Sequence, residues 1–179
     1  MTSKTNENKH LVLSHTLLRE RKYYGGRKRN ISTHDKVSGS LHIRETLIEI
    51  DSHTGTHIDY PAHFIKNGRF GDDYPEDHLF SSKCFLLKKD CLSMDRPSIG
   101  IYDIDASEIP SDTEILFIKT GYCELRDDDR YWKSSPIIEP EVPLKLKYKF
   151  KYLKAVGFYI VSVASQLEKR SGKECHYIL

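Results

Sequence analysis

The sequence predicts a mixed α/β domain with a mostly β core. Three apolar runs have the length and composition of buried strands: KCFLLKK from Lys83, EILFIKTG from Glu114 and AVGFYIVSV from Ala155. Between these runs, DIDASEIP from Asp103 indicates a short helix or turn. Strand-like runs mixed with brief helical stretches are typical of α/β and α+β domains.

The N-terminal third is predicted to pass from a polar tail into extended structure. Residues 1–9 are polar and are expected to be disordered, and residues 10–179 are expected to form a single domain. HLVLSHTL from His10 predicts a short strand, and YYGGRKRNISTHDKVSGS from Tyr23 predicts a loop. LHIRETLIEIDSHTGTHID from Leu41 is rich in Ile, Leu and Thr, so it predicts extended structure that leads into a group of histidines.

The composition excludes several classes of partner. The chain has 179 residues, 38% hydrophobic and 30% charged, with a formal net charge of +2 when histidine is neutral. A charge so close to zero argues against nucleic acid or an anionic membrane as the main partner. No apolar run approaches the roughly 18 residues of a membrane span, and none near the start has the length of a signal peptide. We therefore expect a cytoplasmic protein.

Three further features have simple structural interpretations. The four cysteines form no CxxC pair and are expected to be free thiols. LKLKYKFKYLK from Leu144 interleaves lysines with aromatic residues, a pattern that can follow single-stranded nucleic acid. An exposed strand or a surface helix is favoured instead, because the overall charge is balanced. RDDDR from Arg126 is expected to be a solvated loop.

The most informative segment is HTGTHIDYPAHF, which starts at His53 and holds three of the nine histidines. His53 and His57 have the i, i+4 spacing of two helical metal ligands. Gly55, two threonines and Pro61 disfavour a helix, so a strand that ends in a loop is predicted. Asp59 is then expected to cap a short helix with Pro61 in its first turn.

The residue types of this segment suit a metal ion. Two imidazoles and a carboxylate, from His53, His57 and Asp59, are ligands for Zn²⁺, Mn²⁺ or Fe²⁺, and His63 lies close by in the sequence. The HExxH signature of metalloproteases is absent, since a threonine follows His53. The alternative is a set of surface or hydrogen-bonded histidines that share one segment by chance.

The segment HTGTHIDYPAHF resembles the HxGTHxDxPxHF motif of the putative cyclase family, which includes bacterial kynurenine formamidases and isatin hydrolases. The segments LSHTL, NGRFGDDYPEDHLF, ILFIKTGY, AVGFYIVSVAS and KECHYIL resemble further parts of that family. The resemblance implies a swivelling β/β/α domain and a divalent metal cofactor, Zn²⁺ first and Mn²⁺ second. It also implies hydrolysis of a small amide, a lactam, or an arylformamide such as N-formylkynurenine of tryptophan catabolism.

Carried over residue by residue, the resemblance assigns a role to each histidine of the motif. His53, His57 and Asp59 would bind the first metal, with Asp59 bridging to a second, and His176 would bind the second metal. His63 would be the general acid–base. The resemblance further implies a homodimer or a higher homo-oligomer, in which N-terminal residues close the partner's pocket.

The sequence departs from the family pattern in three places, the first of which is Tyr24-Gly25-Gly26, where Pro-Gly is common. A glutamate ligand is expected beyond His176, but the chain stops at Leu179, and Glu174 is too near His176 in sequence to replace it. The aspartate of Gly-x-Asp-x-x-Ser is Tyr159 here, although Ser162 is kept. The first hypothesis is therefore a metal-dependent amidohydrolase whose domain lacks its last element. The second is a weakened or inactive homologue that serves as a binding or structural subunit.

Overall fold

The structure is a computed structural model that describes residues 14–18 and 30–179. The chain divides into two compact units, Met1–Asp59 and Tyr60–Leu179. The predicted disorder of residues 1–9 lies outside the described residues, and the single-domain expectation stays a prediction. The strand predicted from His10 is not present over residues 14–18, and its first residues lie outside the described part of the chain.

The first unit contains an antiparallel hairpin of β1 (Asn30–Ser38) and β2 (Leu41–Glu49). Gly39 adopts a φ of +63° in the two-residue turn, a conformation that glycine takes without steric cost. The extended structure predicted from Leu41 is confirmed over β2. The loop predicted from Tyr23 is wrong over β1, because pairing with β2 satisfies the backbone of a segment that has no strand pattern of its own.

Ion pairs cross the hairpin, but its side chains remain open to solvent. Arg44 donates to both carboxylate oxygens of Asp35, at 2.7 and 3.1 Å, and Lys36 donates to Glu45 at 2.7 Å. Every residue of β2 is exposed, and Val37 and Leu47 expose 72% and 62% of their surface. Interactions along the hairpin itself therefore supply most of its order.

The second unit is built on a parallel three-stranded sheet. The strands lie in the order β3-β5-β7, and their bounds are β3 (Cys84–Lys88), β5 (Ile115–Lys119) and β7 (Ala155–Phe158). These are the three apolar runs predicted as strands. The run from Ala155 stops being a strand at Phe158, which pairs with Ile118 of β5.

A smaller parallel pair and three helices complete this unit. The pair consists of β4 (Ser98–Ile99) and β6 (Ile137–Ile138). The helices are α1 (Asp129–Lys133), α2 (Glu141–Lys149) and α3 (Lys169–Ile178). Short 3-10 helices span Pro61–His63, Gly71–Asp73, Ile101–Asp103 and Tyr122–Leu125. The 3-10 helix at Ile101 and the turns after it confirm the helix or turn predicted from Asp103. The mixed α/β class is confirmed, and the swivelling arrangement stays a prediction.

Two polar segments form helices. Most of LKLKYKFKYLK lies in α2, where Val142 and Leu146 are buried at i, i+4 spacing and Lys145 Nζ donates to two backbone carbonyls at 2.9 Å each. The surface-helix alternative is therefore the correct one. The prediction of a solvated loop from Arg126 is wrong for its last residues, which begin α1. The Asp128 carboxylate accepts from Arg130 N at 2.8 Å and caps this helix.

The core of the second unit lies where the sheets meet the helices. Its fully buried members come from β4, β5, β6, α2 and α3, together with loops of this unit. They include Ile99, Ile104, Leu116, Ile118, Ile138, Val142 and Leu146. The core therefore fixes the strands and α2, and through β6 it holds the surface on which α3 packs.

Candidate metal centre and histidine pair

The residues after β2 form a turn that depends on Gly55. Thr54 N donates to Asp51 O at 3.1 Å, and Gly55 then adopts a φ of +71°. A Cβ atom at Gly55 would lie 2.6 Å from Leu17 Cδ2. The left-handed backbone is the reason why glycine is favoured here, and a Cβ atom would also displace the end of the Leu17 side chain. The turn brings together the histidines on its two sides.

The first site is a cluster of His53, His57 and Asp59, which we call the metal triad. His53 Nδ1 lies 2.8 Å from Asp59 Oδ1, and His57 Nε2 lies 3.6 Å from the same oxygen. The imidazole rings are 5.0 Å apart and nearly perpendicular. One donor atom from each residue lies within 4.8 Å of the other two.

The His57 ring is oriented by its own turn. His57 Nδ1 lies 2.9 Å from Gly55 O, and a carbonyl oxygen can only accept, so Nδ1 carries the proton. In the neutral ring, Nε2 then presents a lone pair towards the Asp59 carboxylate. Two acceptors that face each other at 3.6 Å favour a cation between them.

The metal triad fits a divalent metal in donor type and spacing. In a tetrahedral zinc site, bonds of about 2.0–2.2 Å place the donor atoms about 3.3–3.6 Å apart. The 3.6 Å separation of His57 Nε2 from Asp59 Oδ1 lies in that range, whereas the 2.8 Å separation of His53 Nδ1 from the same oxygen is a hydrogen-bond distance that a bound metal would lengthen. Nitrogen and carboxylate donors of this kind also suit Mn²⁺. The three residues that the sequence predicts as first-metal ligands are thus brought together.

In the second unit, His63 ends a short 3-10 helix that begins at Pro61. Proline suits this first position because its fixed φ is already helical. Ala62 N donates to Arg69 O at 3.1 Å and ties the helix to the following loop. Pro61 lies in the first turn as predicted, but the predicted Asp59 cap is wrong. Tyr60 occupies the N-cap without a side-chain hydrogen bond, and the Asp59 carboxylate lies against His53 instead.

His63 and His176 form the second cluster, which we call the histidine pair. Their ring centroids are 5.6 Å apart. Phe64 stacks on His176 at 4.3 Å, with an angle of 18° between the ring planes, and also contacts the edge of Tyr177. Residues far apart in the sequence are therefore brought side by side, and an aromatic ring restricts the orientation of His176.

The position of His176 depends on how α3 is anchored. Ser171 Oγ and Cys175 Sγ both donate to Ile138 O, at 3.0 and 3.1 Å. Within α3, His176 Nδ1 lies 2.7 Å from Gly172 O, so this nitrogen donates the hydrogen bond. In the neutral ring, Nε2 remains as the acceptor or ligand atom. The sequence does not predict this contact, nor the corresponding contact of His57 with Gly55 O.

Glu174 does not join the histidine pair. Its carboxylate is exposed and lies 3.9 Å from Arg170 Nε, in an i, i+4 pair on α3. Residues two positions apart on a helix differ in direction by about 200°. Glu174 and His176 therefore face nearly opposite directions, which agrees with its rejection as a ligand on sequence grounds.

Tyr159, which departs from the family motif, and Ser162, which matches it, both have structural roles after β7. The carbonyl of Tyr159 accepts from Thr120 Oγ1 at 2.7 Å. The hydroxyl of Ser162 accepts from Ala164 N at 3.1 Å. These hydrogen bonds shape the turns that follow the strand.

Burial makes two of the thiols unsuitable as nucleophiles. All four cysteines are free. Burial raises the pKa of Cys91 to about 11 and the pKa of Cys175 to about 12. Because the thiolate is the reactive and metal-binding form, both side chains stay protonated and act as apolar core groups.

Comparisons with known proteins support one family. The model of the family described as putative cyclase matches residues 11–163 of the chain. No curated protein matches it. Over residues 14–18 and 30–179, none of the helices is long and apolar enough to span a bilayer.

Proposed function

Because the chain belongs to the putative cyclase family, we propose that it is a cytoplasmic, metal-dependent hydrolase of a small amide, an arylformamide or a lactam. The metal triad is the observation that carries this proposal. His57 Nε2 and Asp59 Oδ1 face each other at 3.6 Å, while His57 Nδ1 is held by Gly55 O. This arrangement is the one that a histidine ligand needs, since its second nitrogen is already occupied.

Each of the proposed site residues has a distinct task. His53, His57 and Asp59 hold the metal, with Zn²⁺ favoured over Mn²⁺, and His176 contributes a ligand for a second ion. A bound metal of this kind lowers the pKa of water from about 16 to about 7 and so supplies hydroxide at neutral pH. The neutral imidazole of His57 and the anionic carboxylate of Asp59 are the forms that bind it.

We assign the proton transfer to His63. In the hydrolysis, the water oxygen joins the carbonyl carbon, the carbon–nitrogen bond breaks, and the leaving nitrogen takes a proton. Imidazole is suited to this transfer because it gains and loses protons near neutral pH. Phe64 and His176 pack around the His63 ring and limit its motion.

The substrate class follows from the family resemblance, and N-formylkynurenine and isatin are the compounds to test first. Hydrolysis of each would be measured with purified protein after addition of Zn²⁺ or Mn²⁺. His63→Ala is expected to abolish turnover while metal content is kept. His78→Ala is the matched control, since His78 lies in the same unit but packs on Tyr74 at 4.6 Å.

The outcomes separate the two functional hypotheses. Turnover that His63→Ala removes and His78→Ala preserves supports the hydrolase. Metal binding without turnover of either compound, with either ion, favours the binding or structural homologue instead. The loss of the family aspartate at Tyr159 is the feature that keeps this second hypothesis open.

We also propose that the chain forms a homodimer or a higher homo-oligomer. The support comes from the β1–β2 hairpin, which exposes Val37, Leu41 and Leu47 by 72%, 58% and 62%. An isolated two-stranded hairpin is only marginally stable in water, so a second copy that covers it would stabilise it. The run from Ala155 is half-buried in the structure and gives less support than its sequence suggests.

Light scattering tests the oligomer directly. A mass near 20.8 kDa at micromolar concentration would rule out a stable dimer. If a dimer forms, Leu47→Lys should weaken it, whereas Lys88→Glu on strand β3 of the second unit should not. Equal effects of the two variants would place the interface away from the hairpin.

A further inference from the structure

A cleft of about 370 Å³ opens beside the start of α3 in the second unit. Its lining comes from the segment before β4, from β4 and β6, and from α3 with its N-cap: Arg96, Ser98, Ile137, Glu139, Glu168 and Ser171. None of these residues is a histidine, so the cleft is separate from the histidine pair. Its volume lies within the range of small-molecule sites, roughly 300–1,000 Å³.

One wall of the cleft is the carboxylate of Glu139. Ser98 Oγ donates to its Oε1 at 2.9 Å, and Glu139 N donates to Ile99 O at 3.0 Å. The carboxylate packs over Gly100, where a Cβ atom would lie 2.5 Å from Oε2. Oε2 accepts no hydrogen bond from the described residues. Glu139 is thus held through Oε1, while Oε2 lies against Gly100 with its acceptor positions unused by the described residues.

A second carboxylate is fixed by the helix that it caps. Glu168 Oε1 accepts from Arg170 N at 3.0 Å, and Oε2 accepts from Ser171 N at 2.6 Å. Each oxygen of a carboxylate has two lone pairs, so each keeps one acceptor position after these bonds. Glu168 therefore offers a rigid anionic group to the cleft.

The positive group of the cleft is Arg96. Its guanidinium forms no ion pair with the described residues, although its backbone is fixed by the neighbouring buried Pro97, whose carbonyl accepts from Ile137 N at 2.9 Å. A guanidinium can bind a carboxylate through two parallel hydrogen bonds. Arg96 is therefore available for a ligand anion.

We propose that this cleft binds a small zwitterion with one ammonium and one carboxylate, the chemistry of a free α-amino acid. The ammonium would donate to Glu139 and Glu168, and the carboxylate would accept from Arg96. A metal cation alone is disfavoured by the guanidinium in the lining, and an inorganic anion by the two carboxylates. Ile137 supplies the apolar part of the lining.

The test is a binding titration that needs no turnover, so its result does not depend on the proposed hydrolase. The full chain would be stripped of metal with a chelating resin and titrated with alanine by calorimetry. N-Acetylalanine lacks the ammonium and alaninamide lacks the carboxylate, and each is expected to bind at least tenfold more weakly. Mg²⁺ alone and inorganic phosphate alone are expected not to bind at the cleft.

Variants locate the binding. Glu139→Gln keeps an acceptor for Ser98, and Arg96→Gln removes only an exposed charge, so both should fold. Each is expected to weaken alanine binding at least tenfold. Arg170→Gln and Glu174→Gln change exposed charges of α3 outside the lining and should leave binding unchanged.

Three results would overturn the proposal. They are the absence of saturable alanine binding, equal binding of alanine and its blocked analogues, and an equal loss in cleft and control variants. Binding of Mg²⁺ alone that Glu139→Gln abolishes would also overturn it, because the cleft would then be a cation site. Circular dichroism of each variant would confirm that the fold is kept.

Discussion

The metal triad and the histidine pair are assembled in opposite ways. The triad lies within residues 53–59, and its geometry comes from one turn with a left-handed Gly55. The pair joins a 3-10 helix to α3, and α3 is held by hydrogen bonds to Ile138 O at the edge of a packed core. Local turn chemistry is enough for the first arrangement, whereas the second needs the fold of its unit.

The largest expected effect is the loss of metal when a triad ligand is removed. Structural zinc sites with four ligands contribute about 10–16 kcal/mol, or roughly 3 kcal/mol per ligand, which is more than a hundredfold in affinity. His57→Ala should therefore reduce metal affinity by at least this factor, as measured by competition with a chromogenic chelator. The control is His42→Ala, which removes an exposed hairpin histidine 3.8 Å from Asp35. Equal metal content in both variants would contradict the assignment of the triad.

A substitution in the core should lower stability strongly and leave metal binding at the triad intact. Leu116 is 0% exposed in β5, so Leu116→Ala should lower the free energy of unfolding by about 2–5 kcal/mol in urea titrations. Lys119→Ala on the same strand is exposed and should change it by less than about 0.5 kcal/mol. The folded Leu116→Ala protein should still bind metal at the triad, because the geometry of the triad comes from the turn around Gly55. A parallel loss of metal would show that the two regions are coupled.

Gly172→Ala tests the position of α3. Alanine favours a helix by about 1 kcal/mol over glycine. However, a Cβ at this buried position would clash with Ala164 Cα, a backbone atom that cannot easily move. The cost of overpacking should exceed the gain in helix propensity and destabilise the second unit by about 1–3 kcal/mol. Lys173→Ala, one residue along on the exposed face, should be nearly neutral. If Gly172→Ala is more stable than Lys173→Ala, the predicted overpacking of α3 is contradicted.

The smallest expected effect concerns the pH dependence of the second unit. Lys89 Nζ lies 2.6 Å from Asp103, and this hydrogen bond is the main reason why the pKa of Asp103 lies below 3.8 in the folded chain. A lowered folded pKa adds stability above the ordinary value and loses it as the pH falls through the folded one. Asp103→Asn should therefore cost about 1 kcal/mol at neutral pH.

Thermal or urea unfolding at several pH values would measure this difference. The gap between Asp103→Asn and the unmodified chain should close as the pH falls below 3.8. Asp112→Asn is a suitable control, since Asp112 is more exposed and lies 3.5 Å from Lys83. A gap that stays constant with pH would show that the ion pair contributes nothing measurable.

Several features of this chain are determined by short stretches of sequence. The apolar runs at β3, β5 and β7 are long and bounded by polar residues, so their strands are predictable from a local window. The metal triad is predictable for the same reason, because its ligands and the glycine between them share one segment. Pro61 likewise marks the start of a 3-10 helix, through its own fixed φ.

Other features were decided only by tertiary structure. β1 has no strand pattern and is ordered by pairing with β2, and α2 follows an alternating sequence but packs Val142 and Leu146 on one helical face. The meeting of His63 with His176, and of Arg96 with Glu139 in the cleft, joins residues that no local window contains. Propensity and turn chemistry act over a few residues, whereas these contacts depend on burial and backbone pairing between distant segments.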